Sequence, residues 1–569
     1  MPDYSLWSDP YCSVSIVSKG RGQSPHIFLK FLRLKTIGNL NFDVSFTLAC
    51  HHHPTLHLAG GRMEISTWIS HHANCSPDKI ALYFEDLEIS YRKLENCIAH
   101  LAAGLVHHLG IKPGDRVAYL GENSPELIEI FFACARIGAI FVPLNARMTI
   151  EQHKHFLINS SPKCLFVESP FSMHADECLH NTNIKMLVFG TDSQDDNKFA
   201  HLGALISGPE RIPSGTIMPE ITPVMIAYTS GSTGLPKGAV LTHSTIHNAS
   251  INAVQVAEMT CEDHILTNLP MSHVGGLTVQ TLPALHIGAS VTIHREFDAE
   301  QTLRDIESKR ITVYLPLPKV SRALTSHPDW HNTDISSLRI TQTGSTIVPM
   351  SVMTPWTERG IPAQQIYGLT EALPPVIGLP LREHETMAGS MGKPSMYCKV
   401  RIVDRDMRDV NPGERGEILL KGPCVFKEYW NNPEATSKAF SDGWFLTGDI
   451  AHTDENGYIY MDDRLKNVII VGSSNVYPAD IEHILSECDE IAEVAVVRRP
   501  DQELGEVPVA CIQIKTGRSI TTEQIKDLFK QRLATYQYPR DVMFVESFPR
   551  TSLGKIQKTE VERIVRNMN

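Results

Sequence analysis

The sequence has no surplus of positive charge. Lysines and arginines number 52 against 64 aspartates and glutamates, a formal net charge of −12, so little is available to neutralise a phosphate backbone and general nucleic-acid binding is excluded. It also lacks an uninterrupted apolar run of membrane-spanning length. The most apolar stretch, Leu127 to Leu144, is broken by Glu129, Arg136 and Pro143 and reads as a buried helix leading into a strand. None of the 12 cysteines forms a Cys-x-x-Cys pair. That argues against a disulfide framework and for free thiols in a reducing compartment, the cytoplasm or an organelle matrix. No internal repeat, long low-complexity segment or signal-peptide core stands out, and the final Asn567-Met568-Asn569 is not a peroxisomal address. The run His51-His52-His53 with His57 lacks partners at zinc-site spacing, so no metal site is expected there.

What is present is ordinary globular sequence, 42% hydrophobic and 20% charged over 569 residues. That length exceeds what one core organises, so two or more domains are expected. Residues 1–62 hold isolated basic residues and no sustained periodicity. They are expected to be an N-terminal extension: a targeting segment, a disordered arm, or residues that precede a true start at Met63. From Met63 to about Asp463, helical and strand patterns alternate: Leu94 to Leu109 as helix, Arg116 to Leu120 as strand, Ser124 to Ile137 as helix. The alternation predicts an α/β fold with mainly parallel sheets. After Lys466 a shorter α+β unit follows, with strands Val468 to Val471 and Val494 to Val497, a helix Pro478 to Glu487 and a last helix near Lys555. The expected division is 63–465 and 466–569.

One loop narrows the chemistry more than any other segment. After the apolar strand pattern Val224 to Tyr228 comes Thr229-Ser230-Gly231-Ser232-Thr233-Gly234-Leu235-Pro236-Lys237-Gly238, with four hydroxyls, three glycines and a lysine. Glycines let successive N–H groups converge on an anion, while the hydroxyls and the ammonium add donors, which suits a polyphosphate. A Walker A loop is excluded, because Lys237 follows Pro236 and precedes Gly238 instead of joining a Gly-Lys-Ser/Thr triplet. A short Ser/Gly/Thr cluster by itself is usually a surface turn.

The loop resembles the phosphate-binding signature of the adenylate-forming superfamily, which includes acyl-CoA synthetases, aryl-CoA ligases, luciferases and peptide-synthetase adenylation domains. Four further segments resemble that superfamily's motifs in its order: Tyr367-Gly368-Leu369-Thr370-Glu371, Gly443-Trp444-Phe445-Leu446-Thr447-Gly448-Asp449, Asp463-Arg464-Leu465-Lys466, and Pro549-Arg550-Thr551-Ser552-Leu553-Gly554-Lys555. The resemblance covers Met63 to the C-terminus. It implies a large adenylation domain, a small mobile C-terminal domain after a hinge at Lys466, and ATP, Mg²⁺ and coenzyme A as cofactor and co-substrates. The implied activity is that of a carboxylic acid:CoA ligase making acyl-AMP and pyrophosphate, then a thioester.

The same resemblance implies residue roles. Thr229, Ser230, Gly231, Ser232, Thr233, Gly234 and Lys237 hold the outgoing phosphates. Thr370 contacts the α-phosphate and Glu371 holds magnesium. Tyr367 and Gly368, with the Gly344-Ser345-Thr346 strip, border adenine, although Thr346 replaces a more usual small apolar residue. Asp449 and Arg464 meet the ribose, Lys466 is the hinge, and Lys555 reaches the acyl carboxylate and the α-phosphate. His273, in Pro270-Met271-Ser272-His273-Val274-Gly275-Gly276, resembles the residue at the junction of acyl and nucleotide pockets. Ser473-Ser474 departs from the paired glycines of many relatives where the thiol arm passes. Singly, Glu371 reads equally as a surface acid, Tyr367 as a core aromatic and His273 as a hydrogen-bonded core histidine; the ordered set gives them chemistry.

Candidate acyl-pocket segments, Val274 to Val279, Leu315 to Val320 and Leu373 to Ile377, are largely apolar with Lys319 the only cation. A medium- or long-chain fatty acid is the expected substrate, an aryl acid the alternative. No carrier domain follows residue 569, so free CoA is expected as acceptor over a carrier protein. A catalytically dead scaffold is the reading from a different class.

Overall fold

The computed structural model describes residues 64–567 apart from 191–209, 215–217, 230–235, 345–347, 349, 384–386, 388, 473 and 552–553. The extension expected over 1–62 lies outside them. The apolar run 127–144 folds as a helix, Pro125–Ile137, and a strand, Ile140–Asn145, every residue of which is buried from Leu127 onward. The helix stops at Gly138, whose φ of +71° is left-handed. A Cβ there would also lie 3.1 Å from Met218 and 3.2 Å from Pro113, so glycine suits both the turn and the packing. The two charges that interrupt the run are accommodated inside the protein. Arg136 forms a bidentate pair with Glu95 (2.9 and 2.7 Å) on the helix Tyr91–His107, and burial pushes the Glu129 carboxyl up to about 7. Among the described residues no helix is long and apolar enough to cross a membrane.

Helix–strand alternation yields two largely parallel sheets. The six-stranded sheet runs Lys185–Phe189, Cys164–Glu168, Arg116–Gly121, Ile140–Asn145, Pro223–Tyr228 and Gly238–Thr242, parallel until the last strand, which returns antiparallel. The nine-stranded sheet has a parallel centre, Ala363–Leu369, Ile340–Thr343, Val313–Tyr314, His264–Thr267, Ser290–Ile293 and Ile80–Phe84, with antiparallel hairpins at both edges. Thr229, Gly344, the 269–273 turn and Leu315 all follow the carboxyl ends of parallel strands, where open α/β sheets bind ligands.

The alternation read as far as Asp463 stops earlier. Lys399–Arg464 forms a five-stranded antiparallel sheet whose one helix is the short Pro433–Ala439. The turns Asp404-Arg405-Asp406-Met407 and Asp454-Glu455-Asn456-Gly457 close hairpins too short to hold crossover helices. After the 3₁₀ turn Leu465–Asn467, residues 469–544 build a separate five-stranded sheet. The helices Pro478–Ser486, Thr522–Leu528 and Lys558–Asn567 cover it around its own apolar clusters. Arg415 ties this part to the antiparallel sheet: it binds Asp480 through two contacts of 2.8 and 2.9 Å, Asp462 at 2.8 Å, and lies over the Tyr477 ring.

Candidate active site

The hairpin of Trp444–Thr453 with Ile459–Arg464 places Asp449 directly across from Arg464. A bulge turns the carboxylate inward. Gly448 has φ +70° and donates its N–H to Glu417 (2.9 Å), while the Thr447 hydroxyl donates to the Ile418 carbonyl (2.7 Å) and accepts from the Asp449 N–H (3.0 Å). The Asp449 side chain is 2% exposed, with Arg464 Nε 2.9 Å from Oδ1 and the Tyr367 hydroxyl donating to Oδ2 at 2.8 Å. Arg464 Nε is close but misaligned: Oδ1 is buried and accepts no aligned hydrogen bond from the described residues. A ligand hydroxyl could take that lone pair. Burial raises the Asp449 pKa, with Arg464 pulling against it. Burial, with the Asp449 charge beside it, drives the Tyr367 phenol pKa upward, so Tyr367 remains a donor.

Thr370 and Glu371 form the turn between Ala363–Leu369 and Ala372–Gly378, where Leu369 pairs with Ala372. The hairpin is tight: a Cβ on Gly368 would lie 2.7 Å from the Pro374 backbone. Glu371 accepts the Tyr429 phenol at 2.8 Å, and its carbonyl accepts the Phe426 N–H at 2.7 Å. Burial raises the Glu371 pKa, and the Tyr429 hydrogen bond, then Arg464 and Lys237, oppose it. Tyr429 belongs to a segment laid along the strand Gly238–Thr242, through Val240 N to Glu428 O (2.9 Å) and Trp430 N to Gly238 O (2.7 Å). The Lys237 ammonium lies 4.8 Å from the Tyr429 ring centroid. Tyr429 therefore joins Lys237 to Glu371, a role missing from the sequence reading. The available signal was the aromatic cluster Phe426, Tyr429 and Trp430 between two motifs.

Thr229 N donates to Lys237 O at 2.9 Å, closing the base of the hydroxyl-rich loop. Ser230, Gly231, Ser232, Thr233 and Gly234 lie outside the described residues, as do Ser345, Thr346 and Ser473. Gly344 is a steric requirement, since a Cβ there would meet the Ile366 carbonyl at 2.5 Å. His273 caps the turn Val274–Gly276, its Nδ1 accepting the Gly275 N–H at 3.1 Å. Burial, then nearby Lys555, holds its pKa down at about 4. The ring is thus neutral with its proton on Nε2, where it takes no partner among the described residues.

Lys555 follows Gly554, φ +79°, in a loop closed by Thr551 N to Lys555 O and Gly554 N to Thr551 O, each 2.8 Å. It interacts electrostatically with Arg464, Asp449 and His273, which brings the last motif to the others. The residue as a whole is exposed to solvent, yet the protein around its ammonium desolvates it and, with Arg464, pushes its pKa down to about 8. Lys466, in the turn Leu465–Asn467, has its pKa lowered by the same desolvation and by Arg464. Its carbonyl accepts from the Arg498 guanidinium.

Arg464 and Lys237 thus act on Glu371, and Arg464, Lys555 and Lys466 on Asp449, an arrangement of cations suited to a polyphosphate. The Glu371 carboxylate is a hard oxygen donor next to these cations, and it fits Mg²⁺, which binds through a carboxylate plus phosphate oxygens.

This fold and site define an adenylate-forming enzyme. The chain belongs to the AMP-binding enzyme family: residues 69–430 match its model, and residues 480–555 match the AMP-binding enzyme C-terminal domain. It is 40% identical to an indoleacetate–CoA ligase of Aromatoleum aromaticum over 88% of this chain and 98% of that protein. It is 36% identical to a feruloyl-CoA synthase of Amycolatopsis over 88% and 98%, and 32% identical to the long-chain-fatty-acid–CoA ligase FadD13 of Mycobacterium tuberculosis over 87% and 97%. Among solved structures it resembles the o-succinylbenzoate CoA synthetase of Bacillus subtilis in complex with its acyl-adenylate. The TM-score is 0.78 at 27% identity, over 87% of this chain and 98% of that one. The chain is an AMP-forming acid–thiol ligase of the acyl-CoA synthetase type, with a small-molecule acid, ATP and CoA as substrates.

Proposed function

We propose that the enzyme activates an aryl-substituted carboxylic acid, through its acyl-adenylate, to the CoA thioester. Relatives at 40% and 36% identity bear the names indoleacetate–CoA ligase and feruloyl-CoA synthase, both ligases of ring-bearing acids, which moves the reading from the fatty acid expected on sequence to its alternative. The candidate pocket residues Val279, Leu315 and Leu317 belong to a small apolar cluster with Leu269, Ile366 and Val256. Such a lining accepts a ring and offers a second carboxylate no cation. A fatty acid is the second reading, supported by the same lining and by the 32% relative.

The observation that carries the mechanism is the convergence of Asp449, Arg464, Lys555 and His273 on one cleft. In the first step the acid's carboxylate oxygen attacks the α-phosphorus of ATP; the new P–O bond forms as the bond to pyrophosphate breaks. Asp449 holds the ribose hydroxyls, Lys555 and Thr370 steady charge at the α-phosphate, and Lys237 with the hydroxyl-rich loop grips the departing pyrophosphate. Magnesium, held by Glu371, supplies charge neutralisation when bound. In the second step the CoA thiol, losing its proton, attacks the acyl carbonyl and AMP departs. Lys555 would obstruct the thiol's approach, so the unit 466–569 is proposed to turn about Lys466 between steps. Competing aryl, fatty and short acids in one reaction, followed by AMP release and acyl-CoA mass, tests the reading. Preferential fatty acyl-CoA would overturn the substrate class, and AMP release without any acyl-CoA would overturn free CoA as acceptor.

A further inference from the structure

Away from this cleft, the helices Ile150–Ser160 and Ser172–Leu179 pack through Phe156, Leu157, Ala175 and Leu179 on the six-stranded sheet. At their contact the first contributes His153 and the second His174 and Cys178, one helical turn apart. His153 Nδ1 lies 2.7 Å from His174 Nε2, and the donor atoms of all three residues fall within 4.8 Å of one another. His153 and Cys178 are buried and His174 is half-buried. The other nitrogen of His153, Nε2, is 3.0 Å from the Asn145 carbonyl. That carbonyl takes the ring proton and leaves the Nδ1 lone pair facing His174, which is how metal-bound histidines are oriented from behind.

We propose that His153, His174 and Cys178 form a binding site for a borderline-soft divalent cation, zinc in the first instance, with water as fourth ligand. Two imidazoles and a thiolate select zinc over magnesium, so the site does not compete with the nucleotide's metal. With zinc–nitrogen and zinc–sulfur bonds of about 2.0–2.3 Å, tetrahedral ligand atoms stand roughly 3.3–3.6 Å apart. The two rings must therefore part by about half an ångström and the sulfur move inward, within the reach of side-chain rotation. On binding, the Cys178 thiol gives up its proton to solvent, and the His174 ring proton, which Nε2 donates to His153 Nδ1 in the metal-free protein, moves through solvent to Nδ1 and frees Nε2 for the metal. The site would pin the helix Ile150–Ser160, whose His155 Nε2 lies 3.2 Å from the Pro236 carbonyl at the base of the hydroxyl-rich loop. The spacing of 21 and 4 residues across two helices hides such a site from a motif search.

The test uses the full chain with His51, His52, His53 and His57 all changed to alanine, so that this run adds no metal ligand. The chain is stripped with chelator and reconstituted with zinc or cobalt. The expected result is a single retained zinc, a rise in Tm on adding zinc, and a cobalt–thiolate charge-transfer band. Cys178→Ser abolishes the band and weakens zinc by well over about tenfold, His174→Gln weakens zinc likewise, and Cys511→Ser changes neither. Failure to retain zinc, or a band that survives Cys178→Ser, would mean that the two imidazoles are only hydrogen-bonded to each other. Should Cys178→Ser fold poorly, His174→Gln at the half-buried position decides the same question through zinc retention.

Discussion

Changing Tyr429 to phenylalanine separates its two contacts. The ring over Lys237 is kept, while the hydrogen bond to Glu371 Oε1 at 2.8 Å is lost. A hydrogen bond to a charged group contributes about 1.5–3 kcal/mol, roughly ten- to a hundredfold in an equilibrium constant. Glu371 is only half-buried and water can replace part of the phenol, which places the expected loss near the lower end, about tenfold. The loss should fall on magnesium and on the acid side of the pH profile. Burial already raises the Glu371 pKa, and Tyr429 is the largest influence holding it down. Without the phenol, protonation begins at higher pH and the carboxylate that binds metal is lost sooner as pH falls. The acidic limb of kcat/KM should therefore move to higher pH, and half-saturation by Mg²⁺ should rise about tenfold, in pyrophosphate exchange assays titrated with the metal. Tyr429→Ala, which also removes the ring from Lys237, should add a rise in the KM for ATP. An unshifted acidic limb together with unchanged magnesium dependence in Tyr429→Phe would show that Glu371 does not act through its carboxylate.

Lys555→Ala should slow acyl-AMP formation by about 10²- to 10³-fold while leaving thioester formation from preformed acyl-AMP largely intact; stopped assays of each half-reaction check this, and equal losses refute the role. Asp449→Asn should erase the enzyme's preference for ATP over its 2′-deoxy analogue, because the open lone pair on Oδ1 is what meets the ribose; a preserved preference would move the ribose elsewhere. Arg415→Met should cost about 1–3 kcal/mol in urea unfolding because it leaves Asp462, 5% exposed, with His452 as its remaining side-chain partner, whereas Asp480→Asn should cost less because Asp480 is 25% exposed; the opposite order would contradict the argument from burial.

What the sequence made legible is chemistry confined to short turns. Thr370-Glu371, Thr447-Gly448-Asp449 and Gly554-Lys555 each occupy a tight turn in which side-chain type and backbone conformation are demanded together, and such demands leave local patterns. The helix Pro125–Ile137 and the strand Ile140–Asn145 were equally plain, since a wholly buried element is apolar throughout. Features made by register were not legible. Asp449 faces Arg464 because a hairpin aligns them, and Tyr429 reaches Glu371 because residues 427–430 lie along the strand Gly238–Thr242. The antiparallel sheet over Lys399–Arg464 was obscured because its strands follow turns that alternation alone does not distinguish from crossovers. Acyl preference was hidden for another reason: Val256, Leu269, Leu315 and Ile366, the cluster proposed to line the acyl pocket, come from four distant segments, and an apolar residue carries no mark of whether it meets a ring or a chain.

The site's charge is opposite to that of the chain, and this difference makes nucleotide binding a proton-linked event. The protein carries −12 overall, yet Arg464, Lys466 and Lys555 crowd one cleft, where desolvation and mutual repulsion lower both lysines' pKa values, Lys555 from 10.5 to about 8. A polyanion entering this cleft reverses the repulsion and restores the lysines toward their ordinary range. Because the free-enzyme pKa is the depressed one, binding must take up protons between the two values. At pH 8 about half a proton should enter at Lys555, more at pH 9, and little at pH 7, where the lysine is already charged. Calorimetry of Mg-ATP binding without acid, in buffers of different ionisation enthalpy, measures this uptake directly. Lys555→Ala should remove most of it, leaving the smaller share due to Lys466. Heats independent of buffer at pH 8 and 9, or an uptake unchanged in Lys555→Ala, would show that Lys555 stands outside the phosphate field before the acid binds.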